Sequence, residues 1–192
     1  MSVSEAVAVR YRIDASRSRF TVQGSAEGLF SMFGHDPVIA ICGFGGDARC
    51  VPGTLEGGSV LVLVQADSLA VVNKVSEKDR LEMERAMRDE VLEITRYPEV
   101  VFMSTNVSST RTAEGQYSAR ITGTLSLHGV TRAHPVDALL TINGGSLRAR
   151  GEFTLRQTDY NIKPVSVAGG TLKMKDELHL SFDIVAERRD EG

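Results

Sequence analysis

The chain has 192 residues, 42% of them hydrophobic and 24% charged, with a net charge of −3 at pH 7. That length suits a single domain over residues 1–192 with a real core. The acidic balance, without any basic cluster interleaved with aromatics, excludes a nucleic-acid binder, and no apolar run approaches membrane-spanning length. The opening MSVSEAVAVRYRID has no basic region followed by a long apolar stretch, so a cytoplasmic location is expected.

Tyr11 to Asp14 reads as a short extended start. Arg19 to Glu27 alternates, with Phe20, Val22, Gly24 and Ala26 on one face, as a half-buried strand does. Gly28 to Pro37 is a connection rich in apolar residues, among them Leu29, Phe30, Met32 and Phe33. Val38 to Val51 is a long strand whose Gly43, Gly45 and Gly46 predict a bend or bulge. On one straight strand, Cys42 and Cys50 would face the same side roughly 26 Å apart. They are therefore expected as two free thiols rather than a disulfide or a metal motif. Ser59 to Ala66, with VLVLV at its centre, reads as a strand buried on both faces.

Residues 76–95 form the one convincing helix. Ser76 caps it, Glu77 and Asp79 put negative charge on its first turn, and Tyr97-Pro98 stops it. Met83, Met87, Val91 and Ile94 make a narrow apolar stripe, while Leu81 and Leu92 lie off it. Such a helix either covers a sheet or forms a lid over a barrel mouth.

A meander follows. Val100 to Val107 is a strand and the polar stretch holding Glu114-Gly115 a loop. Tyr117 to Leu127 points Ile121, Gly123, Leu125 and Leu127 inward, and His128-Gly129 is a tight turn. Thr131 to Ile142 returns, Asn143-Gly144-Gly145 is a hairpin signal, and Leu147 to Leu155 points Ala149, Gly151 and Phe153 inward. After a long connection from Gln157 to about Asp176, Leu178 to Ala186 is the last strand. About eight long strands joined mostly as neighbours predict an all-β fold, an antiparallel sheet closed into a barrel with one inserted amphipathic helix. The small inward residues leave two readings open: volume for an apolar ligand, or relief of strain at barrel bends.

Candidate chemistry is sparse. His128 falls in a turn, His134 near a strand start and His179 on a solvent-facing position. His35, in Gly34-His35-Asp36-Pro37, stands beside the apolar connection and fits either a head-group donor or ordinary turn chemistry. Tyr160 and Lys163 either reach a pocket rim or anchor the long connection. No nucleophile elbow, phosphate loop, HExxH or CxxC occurs, so neither a cofactor nor a metal is expected.

Tyr97-Pro98 followed by Phe102 and Ser104-Thr105 resembles the YPxxxFxST element of the YceI-like family. Leu125 to Arg132, LSLHGVTR, resembles that family's LTLHGVTRP hairpin. Tyr11 to Asp14, the segment from Phe153 to Ile162, and Asp176-Glu177-Leu178 match further family elements, with Asn161 where Gly is usual. The resemblance implies an extended lipocalin-like barrel whose interior holds long-chain amphiphiles, polyisoprenoids among them. It favours a binding protein over an enzyme. Phe20, Val22, Phe102, Leu125, Phe153 and Phe182 are then expected along an apolar chain. Phe30, Phe33, Met83 and Met87 would line the entrance, with His35, Tyr160 or Lys163 at the head group. Two alternatives stand beside this reading. One is an enzyme using His35 and Asp36 as acid and base. The other is a filled barrel serving as an interaction module, a homodimer through a sheet face.

Overall fold

The structure, a computed structural model, describes residues 8–27, 36–51, 53–55, 57–167 and 172–189. Apolar–polar alternation produces fifteen strands among them. They are β1 (Val9–Ile13), β2 (Arg19–Gln23), β3 (Ala26–Glu27), β4 (Val38–Ile41), β5 (Phe44–Cys50), β6 (Ser59–Gln65) and β7 (Leu69–Val71). Helix α1 (Glu77–Ala86) follows, then β8 (Glu99–Ala113), β9 (Gln116–Leu127), β10 (Val130–Ala133), β11 (Val136–Asn143) and β12 (Ser146–Arg156). The chain ends with β13 (Ser166–Val167), β14 (Leu172–Met174) and β15 (Glu177–Arg189).

Eight strands close a ring in the order β1, β5, β6, β8, β9, β11, β12, β15, and β15 pairs back onto β1. Every pairing in the ring is antiparallel, so closure leaves it no free edge. Three ring strands continue past a break. The turn Ala15–Arg17 leads from β1 to β2, Cys42 and Gly43 separate β4 from β5, and Ala66–Ser68 leads from β6 to β7. The offset pieces β2, β4 and β7 pair in turn beside β15. At this end, among the described residues, β7 pairs only with β4 and β8 only with β6 and β9, so the wall parts between β7 and β8.

The helix covers that parting. Ser76 Oγ accepts from the Asp79 N–H at 3.1 Å, the expected cap. Glu84 Oε1 accepts the Val71 N–H at 3.0 Å, so a helix carboxylate satisfies the exposed edge of β7. The helix ends earlier than its sequence suggests. Past Ala86 it widens into a π-helical stretch, Met87–Val91, in which the Leu92 N–H reaches the Met87 carbonyl at 2.9 Å. Glu93 then takes a left-handed conformation with φ of 46°, and the chain curls off before Tyr97-Pro98 can act as a stop.

Several strand boundaries also differ. Ala26 and Glu27 leave the barrel and join β14 and β13 in a separate small sheet. The break at Cys42-Gly43 rotates the chain, so Cys42 is exposed and Cys50 buried rather than both facing one side. Strand β6 is one-sided: Val60, Val62 and Val64 point inward while Leu61 is 36% exposed. Of the polar stretch after Val107, only Glu114-Gly115 is a turn; the rest continues β8 to Ala113, with irregularities at Ser104/Asn106 and Arg111/Ala113. His134 and Pro135 split the predicted Thr131–Ile142 strand into β10 and β11.

The turn at His128 and Gly129 has φ of 50° and 75°, the two-residue hairpin geometry that glycine favours. A Cβ on Gly129 would also come within 2.6 Å of the Tyr97 ring. Gly129→Ala is therefore expected to destabilise the fold by about 1–2 kcal/mol from backbone strain alone, read as a lower midpoint in thermal or urea unfolding.

Outside the ring, Asp47 on β5 takes a two-pronged bond from Arg10 on β1, at 3.1 and 2.8 Å, and a third from Arg12 at 3.3 Å. These bonds, Arg10 first, hold the Asp47 carboxyl below its usual 3.8. A depressed folded pKa adds stability above the unfolded value and loses it as pH falls through the folded one. Asp47→Asn is expected to cost up to about 1 kcal/mol at pH 7, since the pair is partly exposed. The difference from wild type should shrink below pH ~4, as urea melts at several pH values would record.

Candidate functional site: an apolar cavity beneath the helix

The inward faces do not fill the barrel. They enclose a cavity of about 850 Å³, within the ~300–1,000 Å³ typical of small-molecule pockets. One end is plugged by a packed cluster built on Tyr11, Tyr117, Ala138, Leu140 and Ala186. Leu55 adds to that plug. It holds a left-handed φ of 54°, unusual for a bulky residue, and is buried to 2% exposure.

Above the plug, each ring strand contributes alternate residues. Val62 on β6, Phe102 on β8 and Leu125 on β9 stand in one cross-strand row. Across the barrel, Phe20, Phe182 and Phe153 form an aromatic chain, with centroids 6.3 Å apart for Phe20–Phe182 and 6.4 Å for Phe182–Phe153. The inward glycines serve these rings. A Cβ on Gly123 would lie 2.8 Å from Phe102 Cζ and 2.5 Å from the Met103 carbonyl oxygen. One on Gly151 would lie 2.6 Å from Phe182 Cζ and 2.4 Å from the Asp137 carbonyl oxygen. Both glycines let an aromatic ring lie flat against the wall, so a bulky residue there would break the strand rather than only fill the cavity.

The helix roofs the space with Met83, Ala86, Met87 and Val91, which line the cavity together with Leu92. Asp79, Glu82, Arg85 and Glu90 give it a charged rim at the same level. The far end of this segment is pinned to the β9–β10 hairpin. Glu93 Oε2 lies 2.9 Å from His128 Nε2, and the Tyr97 ring packs against the imidazole at a tilt of 53°, with centroids 4.4 Å apart.

Of the residues expected at a ligand, Phe20, Val22, Met83, Met87, Phe102, Leu125, Phe153 and Phe182 all line this one cavity. Phe30, Phe33 and His35 lie outside the described residues. Tyr160 is 2% exposed and packs with Ile162 into the wall instead of lining the space, and burial raises its phenol above the usual value. It anchors the long connection, as Asp176 also does by accepting from Thr158 and Arg156. Lys163 is exposed. Asp36 Oδ1 accepts the Ala26 N–H at 3.0 Å, a bond that ties two points ten residues apart in the chain. Asn161 has φ of 57°, which explains a position where glycine is usual.

Sequence reasoning missed His134. It lines the cavity, with its ring edge-on to Phe153 at 5.0 Å. Burial holds its imidazole below the usual value. The signal was the His134-Pro135 step: proline has no N–H for the ladder, so strand alternation fails there.

Fold and site together define a lipocalin-like container: a closed antiparallel barrel around one apolar cavity, roofed by a helix. The YceI-like domain model matches residues 11–186. The chain belongs to the YceI-like family.

A UPF0312 protein of Pseudomonas savastanoi pv. phaseolicola is 37% identical over 105 residues, so the match spans half of this chain and half the length of that relative. A UPF0312 protein of Pseudomonas putida is 29% identical over 182 residues, covering 91% of this chain and 87% of the relative. Among solved structures, Burkholderia cenocepacia BcnA superposes with a TM-score of 0.68 at 15% identity, covering 90% of this chain and 98% of BcnA. A polyisoprenoid-binding domain from Saccharophagus degradans, implicated in plant cell wall breakdown, gives 0.68 at 13% identity, covering 93% and 98%. At these identities the likeness is one of fold.

Proposed function

We propose that the protein binds one long-chain amphiphilic or isoprenoid-type lipid inside the barrel and stores, carries or sequesters it. The observation that carries this reading is the apolar cavity of about 850 Å³. Apolar space of that kind is poorly satisfied by water, whereas each buried methylene contributes ~0.8 kcal/mol. About fifteen methylenes, ~12 kcal/mol before costs, leave ~8 kcal/mol after an immobilisation cost of ~4 kcal/mol, enough for micromolar binding without a strong polar anchor. Met83 and Met87 at the roof suit varied tails, because thioether side chains repack easily. The polyisoprenoid-binding neighbour supports the same class of ligand.

Titration of delipidated protein into a fluorescent polyene fatty acid tests the reading. Saturable one-to-one binding at micromolar concentration, displaced by long-chain competitors, is the expected result. Fluorescence that rises only in proportion to bulk adsorption, with no displacement, would overturn it.

A further inference from the structure

We propose that His134 is a polar anchor inside the cavity, selecting a long-chain ligand with a neutral oxygen function, a hydroxyl or carbonyl, that is drawn into the barrel. This rests on the container reading above. His134 stands part-way along the wall. Its backbone N–H bonds the Gly123 carbonyl at 2.9 Å, between the levels of Leu125 and Ile121. It faces a cavity whose wall there is otherwise hydrocarbon and aromatic, and its ring makes no hydrogen bond among the described residues. Gln157, the other polar group away from the roof, already donates its amide to the Lys175 and Asp176 carbonyls, at 2.9 and 3.4 Å. A half-buried imidazole with no partner is a cost that native structures usually meet with a ligand or water.

The chemistry of that partner follows from the setting. Burial favours the neutral ring, which offers one N–H donor and one acceptor nitrogen. A carboxylate or phosphate brought to the same depth would be desolvated without an opposing charge, because the charged side chains lie at the roof. A hydroxyl or carbonyl loses far less on entry and satisfies the ring.

Competition against a bound fluorescent polyene, using n-hexadecane, 1-hexadecanol and palmitate, reads this directly. Wild type is expected to take the alcohol about three- to tenfold more tightly than the alkane, the span of one neutral hydrogen bond. His134→Leu should remove that preference by weakening the alcohol alone, and His134→Gln should restore part of it. In wild type, the His134 ring ¹⁵N shifts, assigned by their loss in His134→Gln, should move with the alcohol and not with the alkane. Equal binding of alcohol and alkane, tighter binding of palmitate than of alcohol, or unmoved ring shifts would overturn the inference and leave the container intact. Failure of every probe to bind wild type would overturn the container reading and this inference with it.

Discussion

Val62→Trp is expected to weaken long-chain ligand binding by at least tenfold while leaving the barrel folded. Val62 points into the cavity from β6, in one row with Phe102 and Leu125, and its neighbour on β5 is Gly46, which has no side chain to be displaced. The indole would project into empty space toward Phe20 and Phe182, so it avoids the strain that overpacking a filled core brings. It would occupy the volume a chain needs, and losing even two buried methylenes' worth of contact costs about 1.6 kcal/mol, roughly tenfold in affinity. Leu61→Trp is the control: the adjacent residue faces outward and is 36% exposed, so binding should not change. Equal affinity for wild type and Val62→Trp would mean the ligand lies elsewhere.

Tyr11→Ala has the largest expected effect on stability. Tyr11 is 2% exposed, packs in the plug with Cys50, Leu55, Tyr117 and Ala186, and pairs on both sides, with β5 and β15. Truncating a fully buried aromatic leaves a cavity and typically costs about 3–5 kcal/mol. In a domain of this size that lowers the melting temperature by roughly 10 °C. Phe153→Ala should cost less, because Phe153 already borders empty space on one side and removes fewer packing contacts. Thermal melts of both variants, delipidated, compare the packed end with the hollow one. A larger loss at Phe153 would contradict that division.

Much of the barrel was legible because strand alternation is a local signal. Leu125 and Leu127 on β9, Phe153 and Leu155 on β12 and Leu178 to Ala186 on β15 all read correctly as one face. Ser76 and the His128-Gly129 turn read correctly for the same reason. What failed was whatever depended on partners distant in sequence. VLVLV in β6 cannot tell a wall between cavity and solvent from one buried on both faces. The polar stretch after Val107 stays in β8 because β9 pairs with it as far as Ala113. Gly123 and Gly151 carry seats for Phe102 and Phe182 rather than spare volume, and Gly123 also stands opposite the irregularity at Ser104. Whether the barrel was hollow came from the family resemblance, not from the pattern. His134 escaped because a break in alternation says only that a residue leaves the ladder, not that its ring turns inward.

The most direct test of the container is to ask what leaves the cell with the protein. It should be purified without detergent, weighed in its native state, extracted with organic solvent and the extract identified by mass spectrometry. A long-chain molecule at one per barrel, absent from Val62→Trp, is the predicted result. A protein that carries no such molecule, and takes none up from long-chain alcohols or isoprenoids added to it, would contradict the account.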